Sequence, residues 1–209
     1  MLELNRISAG YGKQTVLDGI SVDFEKGKLT SIIGVNGCGK STLLKAILGI
    51  LSLSNGEIFI DGENLLTISR NEIAKKIAYL SQGKNIPDMT VEQMVLHGRF
   101  PYLSYPRRYS SHDREVAIKA MEAVGIAKLA HKPLYALSGG MRQNAYIAMA
   151  LAQDTDYILL DEPTTYLDIA HQLDLMKLLY TLADSGKGIV TVMHDLPMAF
   201  NYSDEILVI

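Results

Sequence analysis

The sequence lacks the features that mark secreted, membrane-spanning and nucleic-acid-binding proteins. It has a single cysteine, Cys38, which excludes an internal disulfide and fits a reducing compartment. No apolar run approaches the roughly 20 residues that cross a bilayer. The sequence also lacks the charged start and following apolar core of a secretion signal. The net charge is −3 and the only adjacent arginines are Arg107 and Arg108, so charge does not suggest a nucleic-acid partner.

Internal repeats, low-complexity segments and linkers are also missing from the 209 residues. The composition, 48% hydrophobic and 21% charged, is that of an ordinary globular protein that can bury a sizeable core. The sequence therefore predicts one domain of ordinary size.

The most informative segment is GVNGCGKST at 34–42, which lies between an apolar run at 29–33 and a helical pattern at 43–48. A glycine-rich turn alone need bind nothing, but a strand, a G-x-x-x-x-G-K-[ST] turn and a helix in this order are typical of a phosphate-binding loop. Cys38 occupies a position that the motif leaves free, and we interpret it as a tolerated small residue. The segment predicts a nucleotide site.

Each conspicuous residue of this loop has a chemical reason to be there. The glycines let consecutive backbone N–H groups surround phosphates without a Cβ in the way; they are Gly34, Gly37 and Gly39. Lys40 brings positive charge to the outer phosphates, and Ser41 places a hydroxyl that can bind Mg²⁺. The helix that starts near Lys40 directs its positive dipole end at the anion.

A second motif is the apolar strand at 157–160, which ends in the adjacent carboxylates Asp161 and Glu162. Such a strand end can simply meet solvent. Ligands of an open α/β sheet bind beyond the carboxyl ends of its strands, however, where the phosphate loop also lies. We therefore expect Asp161 to hold Mg²⁺ and Glu162 to act as the general base toward water.

Three more polar residues follow predicted strands in the same way. They are Gln82, Asp168 and His194. Taken singly, Gln82 could be a turn residue and His194-Asp195 a helix cap. All three are predicted to lie at the sheet edge that carries Lys40 and Asp161, which favours a catalytic role.

The segment Ser138-Gly139-Gly140 is a feature that a simple phosphate-loop enzyme does not need. A serine before two glycines at a helix start forms another anion site, from its hydroxyl and bare amides. One nucleotide does not easily need two such sites from one chain. We infer that this second site covers the nucleotide held by another copy.

The remaining pattern predicts an α/β fold with a mostly parallel sheet and helices on both faces. Antiparallel strands are expected at 2–8 and 15–24, and the dipeptides Asn55-Gly56 and Asp61-Gly62 are expected to be turns on either side of a strand at 57–60. Residues from about 85 to 135 look like a helical insertion, with a capping box from Thr90 to Gln93.

These motifs together resemble the ATP-binding subunit of an ATP-binding-cassette (ABC) transporter, and the resemblance covers essentially the whole chain. They occur in the family's order: Walker A at 34–42, the Q-loop at Gln82, the signature at 137–140, Walker B at 159–162, the D-loop at 166–168 and the switch histidine at His194. The resemblance implies a P-loop NTPase fold that binds and hydrolyses ATP with Mg²⁺.

The resemblance also assigns the site residues. The implied nucleotide-binding residues are Tyr11, which would stack on adenine, and Gly34, Asn36, Gly37, Cys38, Gly39, Lys40, Ser41, Thr42, Ser138, Gly139 and Gly140. The implied catalytic residues are Glu162, His194, Gln82, Lys40 and Asp168. Ser41, Gln82 and Asp161 would hold Mg²⁺.

A single ABC ATPase domain over 1–209 is implied. Residues 1–84 and 154–209 would form an antiparallel β subdomain and a RecA-like core, and residues 85–153 a helical subdomain that includes the signature helix. The implied partners are a second copy in a head-to-tail ATP-sandwich dimer, two transmembrane permease subunits and, indirectly, a substrate-binding protein, with no nucleic acid. The chain would then lie peripherally at the cytoplasmic face of the membrane.

Within the family, the segments at 98–103, 137–153 and 161–176 look most like ATPases of importers for iron-siderophore, haem or cobalamin cargo. Met141 replaces the usual glutamine of the signature, which we expect to weaken sandwiching without abolishing it. The chain stops within an apolar strand at Ile209, which suggests a truncated chain. Two alternatives stay open: an ABC-type ATPase acting on nucleic acid or ribosomes, and a catalytically impaired nucleotide-binding module.

Overall fold

The chain folds around two β-sheets in a computed structural model that describes residues 1–81, 86–165 and 167–209. The strands are β1 Leu2–Tyr11, β2 Gln14–Phe24, β3 Leu29–Ile33, β4 Leu53–Ile60, β5 Glu63–Asn64, β6 Ile77–Leu80, β7 Tyr157–Asp161, β8 Gly188–Val192 and β9 Glu205–Val208. The α-helices are α1 Lys40–Ile47, α2 Arg70–Lys76, α3 Val91–His97, α4 Ser111–Ala123, α5 Gly139–Ala152, α6 Ile169–Asp184 and α7 Leu196–Tyr202. None of these helices is both long and apolar enough to cross a membrane.

The parallel sheet has the strand order β6-β7-β8-β3-β9. Every residue of β3, β7 and β8 is buried, because both faces of these strands are covered, and this explains why their sequences are almost continuously apolar. On one face Ile32, Leu159 and Val190 pack in the core that contains α1. On the other face Ile158 and Ile189 pack in the core that contains α6. The predicted parallel sheet with helices on both faces is confirmed.

The antiparallel sheet has the order β2-β1-β4-β5 and confirms the predicted antiparallel start of the chain. Asp61 and Gly62, both with positive φ, form the expected two-residue turn between β4 and β5. The prediction of a turn at Asn55-Gly56 is wrong, because both residues lie inside β4. The register with β1 shifts at this point, and a Cβ on Gly56 would lie 2.4 Å from the Arg6 carbonyl oxygen. The glycine therefore serves a bulge at a close backbone approach, not a turn.

The predicted helical insertion at about 85–135 contains α3 and α4, and the predicted helical subdomain at 85–153 also contains α5. The capping box at Thr90 and Gln93 is confirmed, and a second box at Ser110 and Asp113 begins α4. These helices share one apolar core with a face of the parallel sheet. The division of the chain near residues 84 and 153 stays a prediction.

The irregular segment before α4 is fixed by a buried arginine. Arg99 Nε donates to Asp113 Oδ1 at 3.0 Å, and its Nη1 donates to the Ala152 carbonyl oxygen at 3.0 Å. The guanidinium carbon also lies 4.0 Å from the Tyr102 ring centroid. One side chain thus holds this segment against both α4 and the end of α5.

Candidate functional site

The phosphate loop connects β3 to α1 through glycines whose backbone angles other residues avoid. Gly37 has φ +82° and Gly39, which caps α1, has φ +114°. Gly34 has φ +155°, and a Cβ there would lie 2.2 Å from the Ile209 carbonyl oxygen. The backbone curl predicted from the glycine spacing is therefore present, and larger residues would strain it.

Lys40 directs its ammonium back into this loop. Its Nζ donates to the carbonyl oxygens of Gly34 at 2.8 Å and Val35 at 2.9 Å, and lies 3.8 Å from Cys38 Sγ. Lys40 is buried, and none of the carboxylates within the described residues forms an ion pair with it. A buried cation at a helix N-terminus with neutral partners is well suited to receive an anion.

Ser41 and Asp161 meet beside the loop, as expected for a magnesium site. Ser41 Oγ donates to Asp161 Oδ1 at 3.0 Å, and Asp161 is buried at the end of β7. The described part of the chain contains no group of three or more His, Cys, Asp or Glu side chains that could hold a metal. This donor set still fits Mg²⁺, because Mg²⁺ takes one or two protein oxygens and completes its shell with phosphate and water.

Tyr79 is a further neighbour of Asp161 that sequence reasoning missed. Its hydroxyl donates to Asp161 Oδ2 at 3.3 Å. Burial, and then the negative charge of Asp161, raise the pKa of Tyr79 well above its ordinary value, so the phenol stays protonated and remains a donor. The strand register could have revealed it, because β6 pairs Tyr79 with Leu159, two residues before Asp161 on the same face.

Glu162 and His194 lie together at the ends of the neighbouring strands β7 and β8. Glu162 Oε1 is 2.6 Å from His194 Nε2, and Thr165 Oγ1 donates to Glu162 Oε2 at 3.2 Å. Glu162 has φ +52°, a conformation that costs a non-glycine residue energy and often occurs at functional sites. Asp195, the next residue, caps α7 by accepting from Met198 N. His194 therefore contacts the candidate base while its neighbour serves as the helix cap.

Asp168 has a structural role as the N-cap of α6. It caps α6, with Oδ1 accepting from His171 N at 2.9 Å and lying 2.8 Å from His171 Nδ1. These contacts, led by the backbone N–H of His171, lower the pKa of Asp168 below its ordinary value. The predictions for Gln82 and Tyr166 fall outside the described residues.

The second predicted anion site lies beside His171, the residue that contacts Asp168. Ser138 caps α5 by accepting from Met141 N at 3.3 Å, and both Ser138 and Gly139 are exposed. The His171 imidazole covers Gly140 so closely that a Cβ there would lie 2.6 Å from His171 Cδ2. Among the hydrogen bonds of the described residues, none joins Ser138 to the phosphate loop.

Two other contacts involve Tyr11 and Gln143. Tyr11 is half exposed at the end of β1, and Lys45 Nζ of α1 lies 5.9 Å from its ring centroid. Gln143 Nε2 donates to the Pro163 carbonyl oxygen at 2.9 Å, which ties α5 to the residue after Glu162. The phosphate loop, Asp161, Glu162 and His194 thus form one group, and the Ser138 segment, Asp168 and His171 form another.

The comparisons with known proteins agree with this geometry. The family profile described as "ABC transporter" matches residues 17–165. The petrobactin import ATP-binding protein FpuD of Bacillus anthracis is 43% identical over 210 residues, which cover 100% of this chain and 77% of that protein. The ferric enterobactin transport ATP-binding protein FepC of Escherichia coli (strain K12) is 43% identical over 97% of this chain and 75% of its own length.

Solved structures show the same similarity. The ADP conformation of MJ1267, an ATP-binding cassette of an ABC transporter, matches with a TM-score of 0.90 at 26% identity, covering 100% of this chain and 87% of that one. The dimeric structure of MJ0796, a bacterial ABC transporter cassette, matches with a TM-score of 0.85 at 29% identity, covering 100% and 94%. On its motifs, its fold and these matches, the chain belongs to the ABC transporter family, as an ATP-binding subunit.

Proposed function

We propose that this chain hydrolyses ATP to energise the import of an iron–siderophore complex through a membrane transporter. The subunit type follows from the family, and the cargo is inferred from relatives. FpuD and FepC are named for petrobactin and ferric enterobactin, and the FhuC protein of Bacillus subtilis (strain 168), 43% identical, is named for iron(3+)-hydroxamate import. These names favour a siderophore over haem or cobalamin.

The observation that carries the catalytic part is the Glu162–His194 contact of 2.6 Å beside the Ser41–Asp161 pair. Lys40 and the loop amides would bind the phosphates, and Ser41 and Asp161 would hold Mg²⁺, with Gln82 proposed as a further ligand. Bound Mg²⁺ would neutralise phosphate charge. Glu162 would accept the proton of the attacking water, while His194 and Thr165 hold its carboxylate in place.

The second copy is proposed from the exposed Ser138 segment, because no hydrogen bond of the described residues joins Ser138 to the phosphate loop of its own chain. In a head-to-tail dimer, Ser138, Gly139 and Gly140 of one chain would face the ATP bound by the other, with Asp168 nearby. The similarity to a dimeric cassette supports this arrangement. Two permease subunits and, indirectly, a substrate-binding protein would complete the importer, with this chain at the cytoplasmic face of the membrane.

The two alternatives are less well supported. An ATPase acting on nucleic acid or ribosomes is not favoured by the net charge of −3 or by the transport names of the relatives. An impaired binding module is suggested by Met141. It is not favoured by the proposed catalytic side chains, because Lys40 lies in the phosphate loop, Ser41 donates to Asp161 and His194 contacts Glu162.

The substitution Glu162→Gln tests the proposal. We expect ATP binding to persist and hydrolysis to fall by about 10²- to 10⁴-fold, the usual contribution of a general base. Calorimetry measures the binding and phosphate release measures the hydrolysis. In proteoliposomes with the permeases that copurify, uptake of a ferric siderophore should fall in parallel.

Glu122→Gln is the matched control, because Glu122 is exposed on α4. It should leave both binding and turnover unchanged. Undiminished hydrolysis by Glu162→Gln would overturn the assigned base, and copurification with nucleic acid in place of membrane proteins would overturn the transport role.

A further inference from the structure

The carboxylate of Asp161 is held from two sides by two hydroxyl groups. Ser41 donates to Oδ1 from the phosphate loop helix, and Tyr79 donates to Oδ2 from the neighbouring strand β6. The β6–β7 register places Tyr79 opposite Leu159, so its ring extends along the sheet face by one strand repeat and reaches Asp161. Both oxygens of the carboxylate therefore have a donor.

The identity of these donors matters as much as their position. Within the residues that the structure describes, no lysine, arginine or histidine forms an ion pair with Asp161. A cationic partner would neutralise the carboxylate, whereas two neutral hydroxyls orient it and leave its negative charge intact. An oriented but uncompensated carboxylate is suited to a divalent cation.

Tyr157 shows what a purely structural tyrosine looks like in the same sheet. It is fully buried in β7, and its hydroxyl donates to the Phe24 carbonyl oxygen at 3.1 Å. A buried phenol needs an acceptor, and a backbone carbonyl is sufficient for that purpose. Tyr79 instead takes as its acceptor the one carboxylate that Ser41 also contacts.

We propose that Tyr79 is a positioning residue that fixes the Asp161 carboxylate for Mg²⁺ at the nucleotide site. This inference rests on the proposed function, because it assumes that Ser41 and Asp161 hold the cation. The Tyr79 bond to Oδ2 fixes the plane of the carboxylate and keeps Oδ1 beside Ser41 Oγ. Residues that orient metal ligands in this way typically contribute about 10- to 100-fold to metal affinity or activity.

Tyr79→Phe removes the hydroxyl and keeps the ring. With a non-hydrolysable ATP analogue present, Mn²⁺ in place of Mg²⁺ reports metal binding through the electron paramagnetic resonance signal of the free ion. We expect the Mn²⁺ affinity to fall by about 10-fold. Binding of the analogue in EDTA should not change, because the phosphate loop is untouched.

Tyr157→Phe is the matched control, since it removes the same group from a buried tyrosine whose hydroxyl donates to the Phe24 carbonyl oxygen. Its Mn²⁺ affinity should equal that of the unsubstituted chain. In an Asp161→Asn background, Tyr79→Phe should cause no further loss, because the carboxylate that it orients is gone.

Three outcomes would overturn the inference: an unchanged Mn²⁺ affinity in Tyr79→Phe, an equal loss in Tyr157→Phe, or additive losses with Asp161→Asn. Failure of the unsubstituted chain to bind Mn²⁺ with the nucleotide would be a different result. It would contradict the proposed function itself, and the inference with it.

Discussion

Arg99 and Asp113 form a charged pair in the interior, and this pair makes stability depend on pH. The Asp113 carboxylate accepts from Arg99 Nε at 3.0 Å, Ser110 N at 2.9 Å and Ser110 Oγ at 2.7 Å. Burial alone would raise the pKa of Asp113, but the hydrogen bonds from Ser110 and Arg99 outweigh it and lower the pKa below its ordinary value. The stabilisation is therefore present above the unfolded-state pKa and is lost as the pH falls through the folded-state pKa.

Asp113→Asn should destabilise the protein strongly at neutral pH, because it leaves the Arg99 charge buried without a counter-charge. We expect the free energy of unfolding at pH 7 to fall by about 3–5 kcal/mol. Below about pH 4 the difference should begin to shrink, because Asp113 of the unfolded chain then binds a proton. It should go on shrinking until the pH has passed the lower pKa of the folded state. Urea unfolding at several pH values measures both effects.

Asp184→Asn, on the exposed end of α6, is the control and should change little at any pH. A loss in Asp113→Asn that stays constant down to pH 3 would show that the charge of Asp113 is not what stabilises the pair.

At the residue scale, the sequence predicted the polar groups at strand ends but not the groups that orient them. Asp161, Glu162 and His194 follow apolar runs, and parallel strands end at one edge, so their proximity is predictable. Tyr79 and Gln143 lie in the middle of elements, and their contacts depend on strand register and helix rotation. Neither the strand register nor the helix rotation can be read from the residue types along the sequence.

At the scale of elements, α3 ends where α5 passes very close. A Cβ on Gly98 would lie 2.2 Å from the Met149 carbonyl oxygen and 3.0 Å from Gln153 N. Both are backbone atoms of the neighbouring helix, so neither can rotate away. The close approach of the two helices therefore requires the absence of a side chain here.

Gly98→Ala should lower the free energy of unfolding by about 1–3 kcal/mol, the range for overpacking in a filled interior. Gly98→Ser should cost more, because its side chain is larger. Thermal and urea unfolding measure both variants. If Gly98→Ala were as stable as the unsubstituted chain or more so, the close approach would be wrong, because the helical backbone angles of Gly98 by themselves suit alanine.

The elements themselves were predicted well where one signal dominates and poorly where context decides. Thr90 and Ser138 cap their helices as expected, because a cap is a local hydrogen bond. The predicted turn at Asn55-Gly56 is wrong because the same dipeptide also suits a bulge. Only the pairing of β4 with β1 distinguishes a bulge from a turn at this position.

At the scale of the whole molecule, the candidate site falls into two groups, and no hydrogen bond within the described residues joins Ser138 of one group to the phosphate loop of the other. If the Ser138 segment serves the nucleotide of another chain, damage to the two groups in different chains should be complementary. Lys40→Ala impairs the phosphate loop. Gly139→Glu places a negative charge where phosphate would bind, and an acidic residue in the first turn of α5 is tolerated by the helix.

We expect each variant alone to be inactive. Heterodimers purified with two different affinity tags should recover up to about half of the hydrolysis rate, since a head-to-tail dimer then contains one undamaged composite site. Phosphate release measures the recovery. Inactive heterodimers would mean that both groups act within one chain, which would contradict the proposed dimer.

The order of the motifs was enough to predict the fold and the family, since each motif requires a particular strand, turn or helix beside it. The cargo could not be predicted in the same way. None of the groups that contact the phosphate loop or Asp161 within the described residues is specific for a metal chelate, and the siderophore proposal comes from relatives.

The hydrogen bond from Gln143 to Pro163 links the helix of the Ser138 segment to the residue after Glu162. Gln143 lies four residues after Gly139, about 6 Å along α5 at 1.5 Å per residue, and its partner is adjacent to Glu162. In a head-to-tail dimer, the segment that contacts one ATP and the base that acts on the other would thus be linked within one chain. A change at one site would then reach the other through a hydrogen bond within one chain, so the two sites would be coupled.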